Sequence, residues 1–436
     1  MEPDLRAGLL RREFKQPARR SGSTGVQTAV SLHGRKQISP PMLSTTEAWQ
    51  TIVSHARQLE TVTLPLEKCL GLVLRVNAYA DSDSPPFDAS AMDGYAMRRS
   101  SIGQTIRIIG EVPAGRPFTG RVNAGECVRI FTGAPVPPDC DCVVKQEDVA
   151  REGDAVLVQS SDQPDFIRRR GENRRAGNLI VPAGTHLSAA NLAALASAGI
   201  TQPEVTRVPR CVHLVTGNEI VPPDQKPTGA QIRDSNSTLI AALLKTQGAE
   251  LLTHAHARDD LASAQHAVTT LPDHDVLLIS GGASVGDHDF ARPLLQSLGF
   301  TSHFQALNLR PGKPLVFASK GNQLAFALPG NPVSHWVVFH LFVAPLLQHL
   351  QTGAAAGPAR LKGRIAVGTT LPVADKRQTF WPSRATIVAG MYELTPLPLA
   401  SSGDSSGLVG ANALLPLPTD GASFDSNQPV EFIPCP

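Results

Sequence analysis

The sequence predicts a multidomain α/β and β protein, with a central parallel-sheet α/β domain and β-rich domains before and after it. Three observations carry that expectation. Between residues 207 and 352, β-type runs alternate with helical ones, the pattern of a parallel sheet with covering helices. Residues 75–165 and the stretch after Gly357 instead show short β-like runs separated by Gly and Pro clusters. With 436 residues, 42% of them hydrophobic, the chain exceeds one compact core and calls for roughly two to four domains.

Residues 1–42 carry many Arg and Lys and no sustained apolar period, so they read as a disordered basic extension. Residues 43–74 and 166–206 form a helical and linking domain. Its first helix is capped by Ser44 or Thr45, with Ala48, Ile52 and Leu59 on one face, and a second helix, Ala189 to Ala198, lies between the cap Ser188 and the stop Gly199. Residues 75–165 are the first β-rich domain, with runs at 104–109, 127–131, 142–146 and 155–159. In the α/β domain, residues 207–355, strand-like runs 211–215, 251–254, 276–279 and 324–328 precede helical runs 238–245, 261–269, 291–298 and 333–349. Residues 356–436 make the C-terminal β domain.

Forty Lys and Arg against thirty-eight Asp and Glu leave a formal charge of +2, too balanced for a protein built around duplex nucleic acid or an acidic membrane. The most apolar run, 333–347, is shorter than the ~20 residues a bilayer needs, so no membrane span is expected. Six scattered cysteines suit a reducing, cytoplasmic compartment. Cys140 and Cys142 lack the further ligands of a zinc site, and His254 and His256 read as strand-end polarity.

In open α/β sheets ligands lie beyond the carboxyl ends of the strands. Four segments at such ends bear glycine: Thr216-Gly217-Asn218-Glu219, Ser280-Gly281-Gly282-Ala283-Ser284-Val285-Gly286, Arg310-Pro311-Gly312-Lys313-Pro314 and Leu328-Pro329-Gly330-Asn331-Pro332. Glycine admits close backbone approach to an anion, and a helix start offers N–H groups and a positive dipole end. Asn331 before Pro332 fits a helix cap with proline in the first turn. Arg310 and Lys313 can set two positive charges beside a phosphate or oxyanion. Glu219, Asp234, Asp259, Asp260, Asp287 and Asp289 stand near these corners, and carboxylates beside phosphates suit Mg²⁺. Asp234 serves equally as a cap for the helix after Asn236. No Walker A loop or dinucleotide fingerprint is present.

Taken with Ser90-Ala91-Met92-Asp93-Gly94-Tyr95-Ala96, Phe131-Thr132-Gly133-Ala134, Arg168-Arg169-Arg170-Gly171-Glu172, Pro182-Ala183-Gly184-Thr185 and Asp234-Ser235-Asn236, these segments resemble, in order along the chain, the molybdopterin molybdenumtransferase (MoeA) family, which is related to the C-terminal part of gephyrin. The resemblance runs from about Thr45 to about Asn412. It implies a homodimer that inserts molybdate into adenylylated molybdopterin, releasing AMP and the molybdenum cofactor with help from Mg²⁺, and whose α/β region binds the pterin. A molybdopterin adenylyltransferase upstream and recipient molybdoenzymes downstream are the implied partners.

Carried over by position, the resemblance implies Asp93, Thr132, Glu219, Lys313, Arg377 and Ser402 as catalytic. It implies Thr216, Asp234, Ser280, Gly281, Gly282, Ser284, Gly286, Arg310, Gly312, Pro329, Gly330 and Asn331 as substrate-binding, and Glu219 with Asp289 as metal ligands. Arg377 and Ser402 rest on a looser C-terminal match, with Ser405 and Ser406 as alternative candidates for the Ser402 position. The chain departs from the pattern at Asn173 and Asn218, where the family often has Asp, and at Arg310, where Lys is frequent. Each Asn removes a potential metal-coordinating charge. Two other readings compatible with the same residues are a molybdopterin adenylyltransferase and a non-catalytic molybdopterin-binding scaffold.

Overall fold

A computed structural model describes residues 42–158, 164–282, 290–373, 376–419 and 429–436. Its centre is a six-stranded sheet. The strands are β1 (Arg210–Thr216), β2 (Glu250–Ala257), β3 (Val276–Ser280), β4 (Thr301–Ala306), β5 (Pro314–Lys320) and β6 (Gln323–Leu328), in the spatial order β2-β1-β3-β6-β5-β4. The first four in that order are mutually parallel, as the alternation predicts, but β5 runs against them, pairing antiparallel with both β6 and β4, and makes the sheet mixed. The Arg310–Pro314 segment therefore lies between the end of β4, which runs in the direction of the parallel set and finishes at its carboxyl edge, and the start of β5. It links two antiparallel strands, and reaches the carboxyl edge because β5 starts where its antiparallel neighbour β6 finishes.

The helices are α1 (Asn236–Thr246), α2 (Leu261–Thr269), α3 (Ala291–Ser297) and α4 (Pro332–Thr352). One sheet face, through Cys211, Val276 and Leu278, packs on Ile240 and Leu244 of α1 and on α4, while Val212, Leu214, Leu277 and Ile279 on the other face meet Ala264, Leu294 and Leu295. This alternation is the period-two consequence of a sheet covered on both sides. At 21 residues, α4 is longer than its apolar run suggested and passes the length and composition test for a membrane span. It is 89% buried within the protein, which marks it as a core helix. A π turn at Phe339–Val343 precedes Pro345, whose missing N–H and ring would clash with a regular α turn.

Helix Thr45–His55 begins with a capping box in which Ser44 accepts from the Glu47 N–H and Glu47 reaches back to the Ser44 N–H. Its Ala48 and Ile52 enter the same core as α1 and α4. Helix Ala189–Ser197 is likewise boxed by Ser188 and Asn191 and stops before Gly199.

In the first β-rich domain the strands order as Cys142–Lys145, Gly94–Met97, Glu126–Ile130, Thr105–Val112, Ala155–Val158 and Val149–Glu152. Here Gly94 has a steric reason, since a Cβ at this position would lie 1.9 Å from the Val144 carbonyl oxygen. In the C-terminal domain, Gln378–Val388, Met391–Pro396, Leu361–Ile365, Val430–Pro434 and Ala413–Leu417 close on themselves, because the first pairs also with the last. Leu309–Arg310 joins that sheet in parallel with Gln378–Thr379.

Arg207, at the entry to the α/β domain, grips Asp275 with two guanidinium bonds of 2.6 and 2.7 Å, and the Arg210 N–H adds a third at 2.7 Å. Burial alone would raise the Asp275 pKa, but these donors outweigh it and hold the carboxyl below its ordinary value. Asp275→Asn is expected to lower stability by about 2 kcal/mol at neutral pH, the scale of hydrogen bonds to charged groups. Because the folded pKa is depressed, this contribution is present above the unfolded pKa of about 3.9 and disappears as pH falls from there through the folded pKa. The urea-unfolding gap between the two proteins should therefore start to narrow below about pH 4 and close only below the depressed folded pKa; a gap as wide at about pH 2 as at about pH 7 would contradict it.

Candidate active site

The carboxyl edge of the central sheet opens into a cleft of about 1030 Å³, closed on its far side by the C-terminal domain. Thr216, at the end of β1, and Ser280, Gly281 and Gly282, after β3, form the floor. Glu219 and Asp234 stand on one side, Arg310, Gly312 and Lys313 on another, and Pro329, Gly330 and Asn331 lead into α4. From the C-terminal domain come Arg377, Trp381 and the loop holding Ser402 and Ser405. Ser284, Gly286 and Asp289 lie outside the described residues, as does Asp287.

Two glycines are dictated by geometry. Gly281 has φ +98°, and a Cβ there would come within 2.6 Å of Thr216 Oγ1 and 2.7 Å of its carbonyl oxygen. Gly312 has φ +110° and would strike Val338 at 2.7 Å. Gly330 faces open space, so its lack of a side chain leaves room in the cleft itself.

The two domains are stitched together at this point. Asn331 Nδ2 donates to Ser402 Oγ at 2.7 Å, and the Val333 N–H donates to the Ser402 carbonyl at 3.1 Å. Asn331 occupies the cap position before Pro332, but its side chain makes no cap bond. The expected Asn cap is thus replaced, because the Ser402 carbonyl already satisfies a first-turn N–H. Asp234 does cap α1: Oδ1 accepts from the Ser237 N–H at 2.9 Å and Oδ2 from the Ser237 hydroxyl at 2.5 Å. It also lines the cleft, so its two readings are compatible.

Asp259, just beyond β2, is a cleft residue absent from the substrate and metal set implied by resemblance. Its position after a strand end was the visible signal. The Asn218 N–H donates to Asp259 Oδ2 at 3.1 Å, and Asn218 Oδ1 accepts from the Asp259 N–H at 3.4 Å. An aspartate at 218 would put a second negative charge against Asp259, which Asn avoids while keeping the acceptor. Asn173 does not line the cleft; its N–H donates to the Ser84 carbonyl. Among the described residues no group of three or more His, Cys, Asp or Glu side chains is arranged to hold a metal, and Cys140 and Cys142 are buried free thiols.

Asp93 and Thr132 do not join the cleft of their own chain. They form a unit of their own in the β-rich domain: Asp93 Oδ1 accepts from the Thr132 N–H at 2.8 Å and from its hydroxyl at 2.7 Å. Those two donors hold the Asp93 carboxyl below its ordinary pKa. The chain thus gathers the α/β and C-terminal residues into one volume and leaves this pair apart.

Three family regions match in this same order: the MoeA N-terminal region (domain I and II) at residues 43–199, a "Probable molybdopterin binding domain" at 213–349 and the MoeA C-terminal region (domain IV) at 364–435. A molybdopterin molybdenumtransferase of Nostoc sp. is 33% identical over 392 residues, covering 87% of this chain and 90% of that protein. This chain belongs to the MoeA family. A molybdopterin molybdenumtransferase of Staphylococcus aureus is 28% identical across 89% of this chain and 94% of its own length. Among solved structures, the molybdopterin biosynthesis MoeA protein from Pyrococcus horikosii superposes with a TM-score of 0.76 at 28% identity, covering 91% of this chain and all of that one.

Gly281→Ala should strain the backbone and collide with Thr216, lowering stability by about 1–3 kcal/mol. Gly330→Ala, in open space, should stay within about 0.5 kcal/mol while occupying ligand volume. Urea midpoints test the pair, and equal midpoints would refute the steric account of Gly281.

Proposed function

We propose that this MoeA-family chain is a molybdopterin molybdenumtransferase, inserting molybdate into adenylylated molybdopterin with release of AMP. The observation that carries the reading is the convergence of Arg310, Lys313 and Arg377 with Glu219 and Asp259 in one cleft of about 1030 Å³, floored by a glycine corner at Gly281. A phosphorylated ring and a small oxyanion both need cationic, hydroxyl and N–H donors, and the same cleft offers them from two domains.

The residues have separable tasks. Arg310 and Arg377 present planar forks suited to pairs of phosphate or molybdate oxygens, and Lys313 adds a point charge. The strand pairing of Arg310 with Thr379 holds the backbones that carry Arg310 and the adjacent Arg377 side by side, so their charges are in place as negative charge grows on the leaving AMP phosphate. Glu219 and Asp259 suit Mg²⁺, which takes one or two protein carboxylates and completes its shell with phosphate oxygens and water. The absence of a larger ligand cluster among the described residues fits that open type rather than a closed cage. When bound there, Mg²⁺ supplies charge neutralisation at the phosphates.

Asp93 and Thr132 enter through a second copy of the chain. Both are partly or fully exposed, held as a unit and outside their own cleft, so a homodimer in which one β-rich domain caps the partner's cleft completes the site. The free, buried cysteines suit the cytoplasm.

Purified protein given adenylylated molybdopterin and molybdate should release AMP and reconstitute a molybdoenzyme apoprotein. ATP turnover without molybdate would favour an adenylyltransferase, and pterin binding without turnover a scaffold. Lys313→Ala is expected to lower AMP release by about 10²- to 10³-fold, as for loss of one transition-state donor. Mixing inactive Asp93→Ala and Glu219→Ala proteins should restore up to about a quarter of wild-type turnover, because half of the random dimers carry one intact shared site. No restoration after subunit exchange would refute the shared site.

A further inference from the structure

From the cleft floor inward runs a chain of largely buried polar side chains to which the proposed reaction assigns no chemical step. From one end, Ser237 Oγ bonds Asp234 Oδ2 at 2.5 Å and lies 3.0 Å from His254 Nε2. His254 Nδ1 is 3.2 Å from His213 Nδ1, and His213 Nε2 is 2.6 Å from Ser280 Oγ. Ser280 Oγ is in turn 2.7 Å from His335 Nε2, and His335 Nδ1 is 3.3 Å from the Asn331 carbonyl oxygen. The sheet explains the meeting. His213 and His254 are register partners on β1 and β2, so both point to the α1–α4 face, and Ser280 ends the neighbouring strand beneath the first turn of α4. His213 and His335 are 0% exposed and Ser280 is 1% exposed, whereas the His254 side chain is 36% exposed.

Counting protons gives this chain an unusual property. Both ends, the Asp234 carboxylate and the Asn331 carbonyl, only accept. Between them stand two hydroxyls and three imidazoles, each carrying one hydrogen-bonding proton when neutral. Six links thus share five protons, and one link is always a contact between two acceptors. The 3.3 Å contact at Asn331 is the longest of the six. A sixth proton entering at the exposed edge of His254 leaves the two bonds on the Asp234 side as they are, reverses the three between His254 and His335 in turn and completes the link to Asn331. Three members, Asp234, Ser280 and Asn331, line the cleft.

We infer that Asp234, Ser237, His254, His213, Ser280, His335 and the Asn331 carbonyl form a proton-storing relay, which takes up one proton when a phosphate-bearing anion fills the cleft. The inference rests on the reading of the cleft as a phosphate-binding site. Burial holds His213 well below the ordinary imidazole value and pushes His335 down to about 4, and it lowers His254 as well, so without a ligand the extra proton is weakly held. An anion arriving across a low-dielectric floor favours the imidazolium form. Among the described residues, the other groups facing the relay are few. From β2, His256 disfavours charge on His254; from the α1 side, Asp234 favours charge on His254 and His335; on β1, Cys211 is kept neutral by burial. The completed His335–Asn331 link steadies the loop whose Asn331 amide holds Ser402, so the stored proton couples to the positioning of the cleft wall.

The same count predicts which changes abolish the effect. Ser280→Ala removes two links and one proton and leaves no vacancy, and His335→Ala, at a different point, does the same. Calorimetric titration of the full-length protein with AMP at about pH 7, in two buffers of different ionisation enthalpy, reads proton uptake directly. Wild type should take up about one proton more than Ser280→Ala or His335→Ala, and its AMP affinity should fall up to about tenfold more per unit rise in pH. Equal uptake in all three proteins overturns the relay. If AMP binds none of them, the phosphate reading of the cleft fails, and the relay is judged separately by ¹⁵N imidazole spectra against pH. A single shared transition in which His254 becomes doubly protonated while His213 and His335 switch tautomer supports it, and independent or unchanged rings overturn it.

Discussion

The parallel pairing of Leu309–Arg310 with Gln378–Thr379 is the constraint on which the cleft depends. A two-residue ladder fixes direction and register at once, so it sets Arg310 and the neighbouring Arg377 along one rim of a gap between two domains. Fully buried Leu309 anchors it from the α/β side and Thr379 from the other. Ser402, bonded to Asn331 through its hydroxyl and to the start of α4 through its carbonyl, ties the opposite rim, and Thr45 bonds Gln378 from the first helix at 2.8 Å. Charge stabilisation is effective when donors are held in place before the charge develops, and here the holding is done by backbone ladders rather than by mobile loops.

Floor and walls of the cleft follow different physics. The walls are cationic and carboxylate side chains that remain in contact with solvent and gain strength only as ligand excludes water. Below them, His213, Ser280 and His335 at the end of the sheet are buried, and polar groups there persist by bonding one another. The three imidazoles and two hydroxyls satisfy that demand incompletely by one proton, at the place where the floor meets a charged ligand. Gly281, with no side chain and a left-handed backbone, lets the floor lie directly against Thr216.

Asp93 shows the opposite economy. One oxygen of its carboxylate takes both Thr132 donors, and Gly94 lets its strand press on the Val144 carbonyl, so the pair is a fixed, presented edge. Such preorganisation far from the chain's own cleft is what a site shared between two copies requires.

By itself the sequence determined the elements and the chemistry available at the strand ends. Helix caps at Ser44 and Ser188, the alternation of residues 207–352 and the glycine corners at 281 and 312 are local signals, because each is imposed by backbone geometry over a few residues. The ordered motifs were sufficient to indicate the family. Tertiary structure alone decided the antiparallel strand β5, the joining of Arg310 to the C-terminal sheet, the diversion of Asn331 from capping to Ser402, and the separation of Asp93 from the cleft. It also brought together His213, His254 and His335, far apart in the chain and in sequence merely isolated histidines. Pairings of this kind depend on register and burial between distant segments, which leave no periodic trace in the residues that make them.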